Sequence, residues 1–445
     1  MKRYAVVGVS HRALRMFIEP ILTTYKEVAQ IVAYLDISPE RIRMMNEIKG
    51  TSIPAYTPEQ FDHMVDETRP DTVIVASMDS THDYYIIKAL ARDLDVWCEK
   101  PVTTDAYKAR AILAAAQRSK GRVTVTFNYR YSPLATKIRE LIQDGAVGRV
   151  VSADLNWYLD TYHGSSYFMR WNRKRACSGG LNVHKATHHF DLIQWWIGQK
   201  PVEVFGYGAR NFYGPDGPRN PSRRDGRVCP ACAERRQCEY YMRWHRDEWR
   251  GAPSGIELDE HVSGLQAFSH YKSPLARRCI YDSEIDIEDT YSAVIKYDGG
   301  ATLSYSLIAS APYEGYRLGI NGIDGRIDVT EIGGGPRAVL PEERPHITYI
   351  PLFGGRQVIE PLAAAGGHGG GDPALQDDLF LGPDPNEKVS RMAPLMDGIL
   401  SVLTGVALHR SIVENRPVRI AELLEGEEGK TQPAVPSVSG VPGGG

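Results

Sequence analysis

Short apolar segments alternate with helix-like segments along residues 1–128, and this alternation constrains the fold more than any other feature of the chain. Candidate strands begin near Tyr4, Val28, Ile53, Thr72, Asp95 and Arg122, and a helical pattern follows each of the first five. Strands separated by helices pair in parallel, because each connecting helix crosses back over the sheet. The pattern predicts an α/β Rossmann domain, a doubly wound parallel sheet, over residues 1–128.

The pattern changes in residues 129–425, where strand-like segments follow one another with few helices between them. Consecutive strands of this kind favour an antiparallel or mixed sheet, so we predict an α+β domain. Residues 214–256 are rich in Pro, Arg and Cys and are interpreted as an insertion. Residues 426–445 form a Gly- and Pro-rich tail that we predict to be disordered.

The composition is that of a soluble globular protein, with 445 residues, 42% hydrophobic content and a net charge of -3. A balance of 52 basic against 55 acidic residues gives no reason to expect nucleic acid as a partner. We found no apolar run of roughly the 20 residues that a membrane span needs, and expect no membrane partner. The short N-terminal apolar segment does not resemble a signal peptide, so a cytoplasmic location is expected.

A degraded dinucleotide-binding motif, Gly8–Ala13, lies between the first predicted strand and helix. Its glycine permits a tight turn, after which a helix N-terminus faces a pyrophosphate. Asp36 ends the second strand, where a carboxylate binds the ribose hydroxyls of NAD and repels a 2′-phosphate. The candidate residues of this motif are Gly8, Ser10, His11 and Arg12. NAD is therefore favoured, although the motif also suits NADP, and a plain strand–turn–helix is the alternative.

The tripeptide Glu99-Lys100-Pro101 follows the fifth strand, at the sheet edge where ligands bind in such folds. Lys100 is a candidate for hydrogen bonding a substrate hydroxyl and lowering its pKa, and Pro101 is a candidate for a cis peptide bond. An exposed ion pair of little energetic value is the alternative.

Residues 179–196 contain two glycines, three histidines, a lysine and an aspartate on a predicted helix. On one helix His184, His188 and Asp191 would share a face, because they are four and three residues apart. A neutral imidazole on such a face is the kind of base that alcohol oxidation needs. The alternatives are a polar helix end with hydrogen-bonded histidines, or a metal site completed by His163.

Three cysteines, Cys229, Cys232 and Cys238, lie close together in the insertion, and Cys279 is a candidate fourth partner. Clustered cysteines in a reducing compartment favour a structural zinc site with four thiolate ligands. One disulfide with two free cysteines is the alternative.

These motifs together resemble the Gfo/Idh/MocA family of sugar and inositol dehydrogenases, over residues 3–425. The segments that carry the resemblance are Ser77–His82, Glu99–Pro101, Phe127–Pro133, Gly179–Asp191 and Arg416–Val418. The resemblance implies a second domain with a large open, mostly antiparallel sheet, and a nicotinamide in the cleft between the domains. It also implies a small carbohydrate substrate and a homodimer or homotetramer.

The resemblance further implies roles for individual residues. Lys100 and His188 become the catalytic pair, and His184 replaces the aspartate that many members carry four residues before the histidine. Asp191 would then orient an imidazole. The implied additional cofactor contacts are Ser77, Asp79, His82, Glu99, Lys100, Pro101 and Asn128. The implied substrate contacts are Lys100, Arg130, Trp171, Lys185 and His188, with Arg173 and Lys174 beside them as a basic wall suited to a large or acidic glycoside.

Three functions fit these residues. The first is an NAD-dependent dehydrogenase that oxidises a ring hydroxyl of a sugar, inositol or glycoside. The second is an NAD-dependent glycosidase that oxidises its substrate transiently, eliminates the aglycone and forms no net NADH. The third, a non-catalytic cofactor-sensing regulator, is disfavoured because both Lys100 and His188 are present. The Gly366–Asp372 segment is either a lid that carries His368 or a disordered loop.

Overall fold

The computed structural model describes residues 1–244, 278–333, 345–361 and 367–426. The predicted tail lies outside the described residues apart from Gly426, and so does the second part of the predicted insertion.

Sixteen strands are described, in two sheets. In chain order they are β1 (Lys2–Val7), β2 (Ala29–Leu35), β3 (Ala55–Tyr56), β4 (Thr72–Val75), β5 (Asp95–Cys98), β6 (Val123–Val125), β7 (Val150–Asp160), β8 (Pro201–Ala209), β9 (Thr290–Tyr297), β10 (Thr302–Ala311), β11 (Glu314–Gly322), β12 (Gly325–Gly333), β13 (His346–Pro351), β14 (Gln357–Ile359), β15 (Ala393–Pro394) and β16 (Val418–Arg419).

Fifteen α-helices are described among them. They are α1 (His11–Ala13), α2 (Glu19–Leu22), α3 (Pro39–Lys49), α4 (Phe61–Thr68), α5 (His82–Leu90), α6 (Ala106–Ala116), α7 (Pro133–Gln143), α8 (His163–Met169), α9 (Arg175–Ser178), α10 (Leu181–His184), α11 (Ala186–Ile197), α12 (Glu239–Trp244), α13 (Gly367–Phe380), α14 (Leu395–Glu414) and α15 (Ile420–Glu425).

The first sheet is the predicted Rossmann sheet, with the strand order β3-β2-β1-β4-β5-β6 in parallel. Its central strands are continuous apolar runs because helices cover both faces; every residue of β4 is buried. The strand order reverses between β1 and β4, and ligands bind beyond the carboxyl ends of the strands at such a point. The predicted parallel Rossmann sheet is confirmed.

The far end of the chain completes the first domain. Strand β15 pairs antiparallel with β6 at the edge of the Rossmann sheet. Helix α13 buries Leu375 and Leu379 in the same core, and its Phe380 ring lies 5.7 Å from Tyr4 and 5.3 Å from Trp97. Residues that are distant in sequence thus close one side of the nucleotide-binding domain.

The second sheet has nine strands in the order β14-β13-β12-β11-β7-β10-β9-β8-β16. Strands β7 and β10 pair in parallel, and the other described pairs are antiparallel. Strand β9 alternates buried and exposed residues, as expected of a sheet with one covered face. The predicted large, mostly antiparallel sheet is confirmed.

Helices α11 and α14 pack together between the two sheets, and every residue of α11 is buried. Of the described helices, α14 alone is long and apolar enough to span a membrane, and 61% of its apolar window is buried inside the protein. That burial is expected of a central core helix, and it explains why α14 carries so few charges.

Local structure differs from the sequence prediction at two positions that matter for the site. The histidine segment forms two helices rather than one, because the helix is interrupted at Lys185, between α10 and α11. The first predicted helix is divided among α1, a π-helical stretch at Leu14–Ile18, and α2. Both segments surround the cleft at the end of the Rossmann sheet, where backbone irregularity re-aims side chains.

Candidate active site

The turn after β1 has the predicted close approach of backbone to backbone. Gly8 has φ +86°, and a Cβ atom there would lie 2.6 Å from the Cα of Ser77. Only glycine fits, because the conformation is left-handed and the neighbour is backbone. Ser10 then caps α1 by accepting the N–H of Ala13 at 3.1 Å, and its hydroxyl donates to the carbonyl of Ala76 at 3.2 Å. His11 follows as the first residue of α1.

Asp36 lies beside this turn at the end of β2 and is buried. Its carboxylate accepts the N–H of Val9 at 2.7 Å and the N–H of Ser38 at 2.9 Å, and the guanidinium of Arg41 is 3.8 Å away. Each carboxylate oxygen has a further lone pair, so these bonds leave capacity for ribose hydroxyls. The sequence placed Asp36 next to the glycine turn, and it lies there.

Arg12 points toward carboxylates of the protein. Its Nε lies 2.8 Å from Oε1 of Glu99, and its Nη1 lies 3.5 Å from Oδ1 of Asp372. This ion pair joins the glycine turn to the end of β5 and to α13. Arg12 and Glu99, two predicted cofactor contacts, therefore hold the walls of the cleft in place.

Lys100 follows β5, and its peptide bond to Pro101 is cis, as predicted. The Lys100 ammonium donates to the backbone carbonyl of His184 at 3.1 Å. Burial lowers the pKa of Lys100, although the charges of Asp79 and Glu99 oppose the shift. Lys100 is thus anchored at the junction between α10 and α11, one helical turn before His188.

His82 holds two loops of the cleft together. Its Nδ1 lies 2.8 Å from the carbonyl oxygen of Pro101, and its Nε2 lies 3.1 Å from the carbonyl oxygen of Ser77. Both ring nitrogens face backbone groups, so His82 positions the loops of two predicted cofactor contacts, Ser77 and Pro101.

His184 is hydrogen bonded on both sides of its ring. Its Nδ1 contacts Asp79, and its Nε2 lies 3.2 Å from the amide nitrogen of Asn172. Burial and the charge of Lys100 lower the pKa of His184, whereas burial raises the pKa of Asp79 to about 7. A neutral His184 that donates from Nδ1 and accepts at Nε2 satisfies both partners, which favours a positioning role.

His188 has the opposite character. It is 3% exposed, and its Nδ1 has no hydrogen-bond partner in the described protein. Its ring lies 4.9 Å from that of Tyr129 and 5.7 Å from that of Phe127. Burial, together with the charges of Lys100 and Lys185, lowers the pKa of His188 well below its usual range. This shift favours the neutral imidazole, and Nδ1 is a ring nitrogen without a partner.

Lys185 is buried at the break between the two histidine helices. Its ammonium lies 5.6 Å from the centre of the Tyr129 ring and 5.3 Å from that of Trp157, within range of cation–π attraction. Burial lowers the pKa of Lys185 to about 8, although the charge of Glu314 opposes the shift. The predicted substrate contact at Lys185 is compatible with this placement beside His188.

Arg130 was predicted to contact the substrate, but its side chain is buried in an ion pair. Its side chain is 1% exposed, and its guanidinium donates to both carboxylate oxygens of Asp191 and to Oδ2 of Asp397. This network also corrects the expectation that Asp191 orients an imidazole, because Arg130 occupies its carboxylate. The pair fixes α11 against the turn that begins the second domain.

The predicted basic wall is divided between two roles. Trp171 presents its ring edge-on to His184, with centres 5.6 Å apart. Arg173 is instead buried, and donates to the carbonyl of Cys279 at 2.6 Å and to Asp282 at 3.0 Å. The prediction that Arg173 faces an acidic glycoside is therefore wrong, since its charge is used inside the protein.

The glycine-rich segment places His368 at the cleft. His368, Gly369 and Gly370 have consecutive left-handed conformations at the start of α13. The amide nitrogen of Asn128 lies 2.8 Å from Nδ1 of His368 and also contacts Asp372. The described part of this segment, from Gly367, begins α13, and its role as a lid stays a prediction. Asp372 belongs to this cluster, although the sequence did not single it out as functional.

The predicted metal sites are without support. His163 pairs with Glu314 at 2.8 Å and with Tyr167 at 2.9 Å, so it does not join His184 and His188. The thiols of Cys229, Cys232, Cys238 and Cys279 are free and line one cavity of about 20 Å³. Within the described ranges, however, no group of three or more His, Cys, Asp or Glu residues is arranged to hold a metal ion.

Comparison with known families now decides the identity of the fold. Residues 2–127 match the oxidoreductase family with an NAD-binding Rossmann fold, and residues 139–420 match the C-terminal alpha/beta domain of the same family. The chain belongs to the Gfo/Idh/MocA oxidoreductase family. It is an NAD-binding oxidoreductase of this type, and the predicted family is confirmed.

Individual relatives cover the chain to different extents. YteT, an oxidoreductase-family protein of Bacillus subtilis (strain 168), is 47% identical over 96% of this chain and 99% of its own length. The inositol 2-dehydrogenase of Rhizobium meliloti (strain 1021) is 28% identical over 30% of this chain and 38% of its own length. The first relationship extends over both domains, whereas the second concerns a part of the chain.

Solved structures share the whole architecture. The WlbA dehydrogenase from Bordetella pertussis, solved in complex with NADH and UDP-GlcNAcA, has a TM-score of 0.60 and 16% identity, over 94% of this chain and 98% of its own. An oxidoreductase domain protein from Kribbella flavida has a TM-score of 0.63 and 16% identity, over 94% and 98% of the two chains. These similarities show a common fold.

Proposed function

We propose that the protein transfers a hydride from the carbon of a ring hydroxyl in a sugar, inositol or glycoside to NAD, with Lys100 and His188 as the catalytic pair. The observation that carries this proposal is the buried His188, whose Nδ1 has no partner and which lies one helical turn beyond the His184 carbonyl that accepts a hydrogen bond from Lys100. A ring nitrogen without a partner suits removal of a hydroxyl proton, and an ammonium at the same site suits stabilisation of the alkoxide that forms.

The cleft has the features that a dinucleotide needs. The Gly8 turn leaves no room for a side chain, the Asp36 carboxylate borders that turn, and the buried Oδ1 of Asn128 has no partner. Gly8, Ser10, Asp36 and Asn128 would hold the cofactor, and bound NAD supplies the hydride acceptor. The carboxylate of Asp36 favours NAD over NADP, because it repels a 2′-phosphate.

The residues of the protein then divide the work. The Lys100 ammonium stabilises the developing alkoxide, and His188 accepts the hydroxyl proton. Hydrogen bonding to the carbonyl of His184 orients Lys100, and Asp79 holds the ring of His184. Lys185 and Trp171 border this group and are the proposed substrate contacts.

The relatives support the carbohydrate class. One is named an inositol 2-dehydrogenase, and a structural neighbour was solved with UDP-GlcNAcA. A polyhydroxylated ring offers hydroxyl groups that could bond to the ammonium groups of Lys100 and Lys185 and to the imidazole of His188. A homodimer or homotetramer and a cytoplasmic location remain predictions.

Incubation with NAD and a panel of sugars, inositols and aryl glycosides tests the proposal through NADH absorbance. Net NADH supports the dehydrogenase, whereas aglycone release without NADH would replace it by the redox-neutral glycosidase. Tight NAD binding with neither product would point to a cofactor sensor.

The His188→Gln variant locates the base. We expect kcat to fall by about 100-fold or more, since general-base catalysis contributes about 10²–10⁴-fold. The dissociation constant for NAD should stay close to that of the wild type. His63→Gln is the matched control, because the His63 side chain is 65% exposed on α4. Full activity in His188→Gln would contradict the assignment.

A further inference from the structure

The glycine-rich segment before α13 presents one imidazole to the cleft in a demanding backbone conformation. His368 has φ 54°, a left-handed conformation that is uncommon for residues other than glycine and is often found at functional sites. Two glycines continue the same conformation, and a Cβ atom on Gly371 would lie 2.3 Å from the carbonyl oxygen of Asn128. The segment is therefore closely fitted to the turn at Asn128–Tyr131.

Asp372 fixes the orientation of this imidazole. Nδ1 of His368 lies 3.1 Å from Oδ1 of Asp372, and Arg12 lies 3.5 Å from the same carboxylate oxygen. Burial alone would raise the pKa of Asp372. The hydrogen bond from His368 and the charge of Arg12 nevertheless hold this pKa below its usual range. The amide of Asn128 donates to Asp372, and its nitrogen also lies 2.8 Å from Nδ1 of His368. The proton path uses the tautomer in which Nδ1–H donates to the ionised Asp372, because that tautomer leaves the lone pair on Nε2.

His368 is adjacent to the proposed base. The ring centres of His188 and His368 are 6.1 Å apart, and the Tyr129 ring lies 4.9 Å from the first and 5.0 Å from the second. One water molecule or one substrate hydroxyl could bridge the two imidazoles. His188 is 3% exposed, whereas the side chain of His368 is 32% exposed.

The proton that His188 takes up needs an exit. Lys100 and Lys185 are close enough for their charges to lower its pKa, so a lasting imidazolium would be costly there. The Lys100 ammonium is engaged by the backbone carbonyl of His184, and both ring nitrogens of His184 are hydrogen bonded, one to Asp79 and the other to Asn172. Of the described neighbours of His188, His368 combines a titratable ring, a carboxylate partner and contact with solvent.

We infer that the His368–Asp372 pair carries the hydroxyl proton from His188 to solvent. The inference rests on the proposed function. The O–H bond of the substrate breaks as His188 takes its proton, the hydride goes to NAD, and the carbon–oxygen bond becomes a carbonyl. The proton on His188 then passes to Nε2 of His368 and on to water, so that alcohol and NAD become carbonyl compound, NADH and one proton.

The groups that face His368 set its pH response. Asp372 and Asn128 contact its Nδ1, the Tyr129 ring packs against it, and the charges of Arg12 and Lys185 act from the turn after β1 and from the break before α11. Burial lowers the pKa of His368 and the hydrogen bond to Asp372 raises it. Loss of Asp372 should therefore make His368 a weaker base.

The test compares His368→Gln and Asp372→Asn with the control His63→Gln. We expect kcat at pH 7 to fall about 10- to 100-fold in His368→Gln and less in Asp372→Asn, with NAD affinity within about twofold of the wild type. Added imidazole, or a higher pH, should restore kcat in His368→Gln, because an external base replaces the missing ring. A purely structural role would not respond to imidazole.

Each outcome separates the proton path from the proposed function. A wild-type kcat and pH profile in His368→Gln would overturn the proton path and leave the dehydrogenase intact. A rise in KM alone would make His368 a substrate contact and also overturn the path. If the wild type forms no NADH with any alcohol of the panel, the proposed function fails and the path fails with it. Histidine resonances of the apo protein give an independent check, because the His188 titration should shift in His368→Gln and would stay fixed if the rings were uncoupled.

Discussion

Replacing Arg130 with Met should destabilise the protein without weakening substrate binding. Arg130 makes two hydrogen bonds to Asp191 and one to Asp397, and both Arg130 and Asp191 are 1% exposed. Removing one partner of a buried pair leaves an uncompensated charge and costs about 3–5 kcal/mol. A protein in the middle of the ordinary range, about 10 kcal/mol, remains folded after such a loss.

Urea unfolding followed by tryptophan fluorescence measures the loss. With a slope of about 3 kcal/mol per molar urea, the midpoint of Arg130→Met should fall by about 1–2 M. Asp397→Asn is the comparison, because the Asp397 side chain is 33% exposed and its ion pair should contribute no more than about 1 kcal/mol. A wild-type midpoint with a KM raised about tenfold, or 1.4 kcal/mol in binding, would refute this reasoning and restore Arg130 as a substrate contact.

Further predictions concern the cofactor, a buried lysine and the thiols. Gly8→Ala should weaken NAD binding, measured by fluorescence titration, because the new Cβ would lie 2.6 Å from the Ser77 backbone; unchanged affinity would contradict the close approach. Asp36→Ser should weaken NAD binding, and in the same titration the dissociation constants for NAD and NADP should become more nearly equal. The pKa of Lys185 is lowered to about 8, so the folded state binds fewer protons than the unfolded state above that pH, and stability from this group rises between about pH 8 and 10.4. Lys185→Met should therefore raise the melting temperature more at pH 7 than at pH 10. An equal rise in melting temperature at both pH values would contradict a buried, charged Lys185 at pH 7. Thiol titration in denaturant under anaerobic conditions should count six free cysteines, and four would reveal a disulfide.

Local patterns were enough to predict the Rossmann sheet and the tight turn at Gly8. A buried strand such as β4 and a tight turn such as that at Gly8 can be recognised from a few adjacent residues, because both depend on local sequence. The same holds for the cis bond before Pro101, where proline alone makes that geometry accessible.

The features that could not be predicted depend on residues far apart in sequence. Arg130 and Asp191 are separated by 61 residues, and nothing near either indicates that the charges pair in the interior. The helix breaks at Lys185, whose ammonium lies beside the rings of Tyr129 and Trp157, and periodicity does not reveal this contact. The interior partner of Arg173 could not be predicted either, because Asp282 is 109 residues away, so the sequence analysis placed Arg173 in a basic wall beside the substrate.

The two-residue strand β15 and the Phe380 ring have a consequence for biosynthesis. The nucleotide-binding sheet gains its last edge strand from residues 393–394 of a 445-residue chain. When residues 1–128 have emerged from the ribosome, the domain therefore still lacks this edge strand and the Phe380 ring that packs on Tyr4 and Trp97. Maturation of the cofactor-binding half waits for the end of translation, and a fragment cut at the domain boundary should be prone to aggregate.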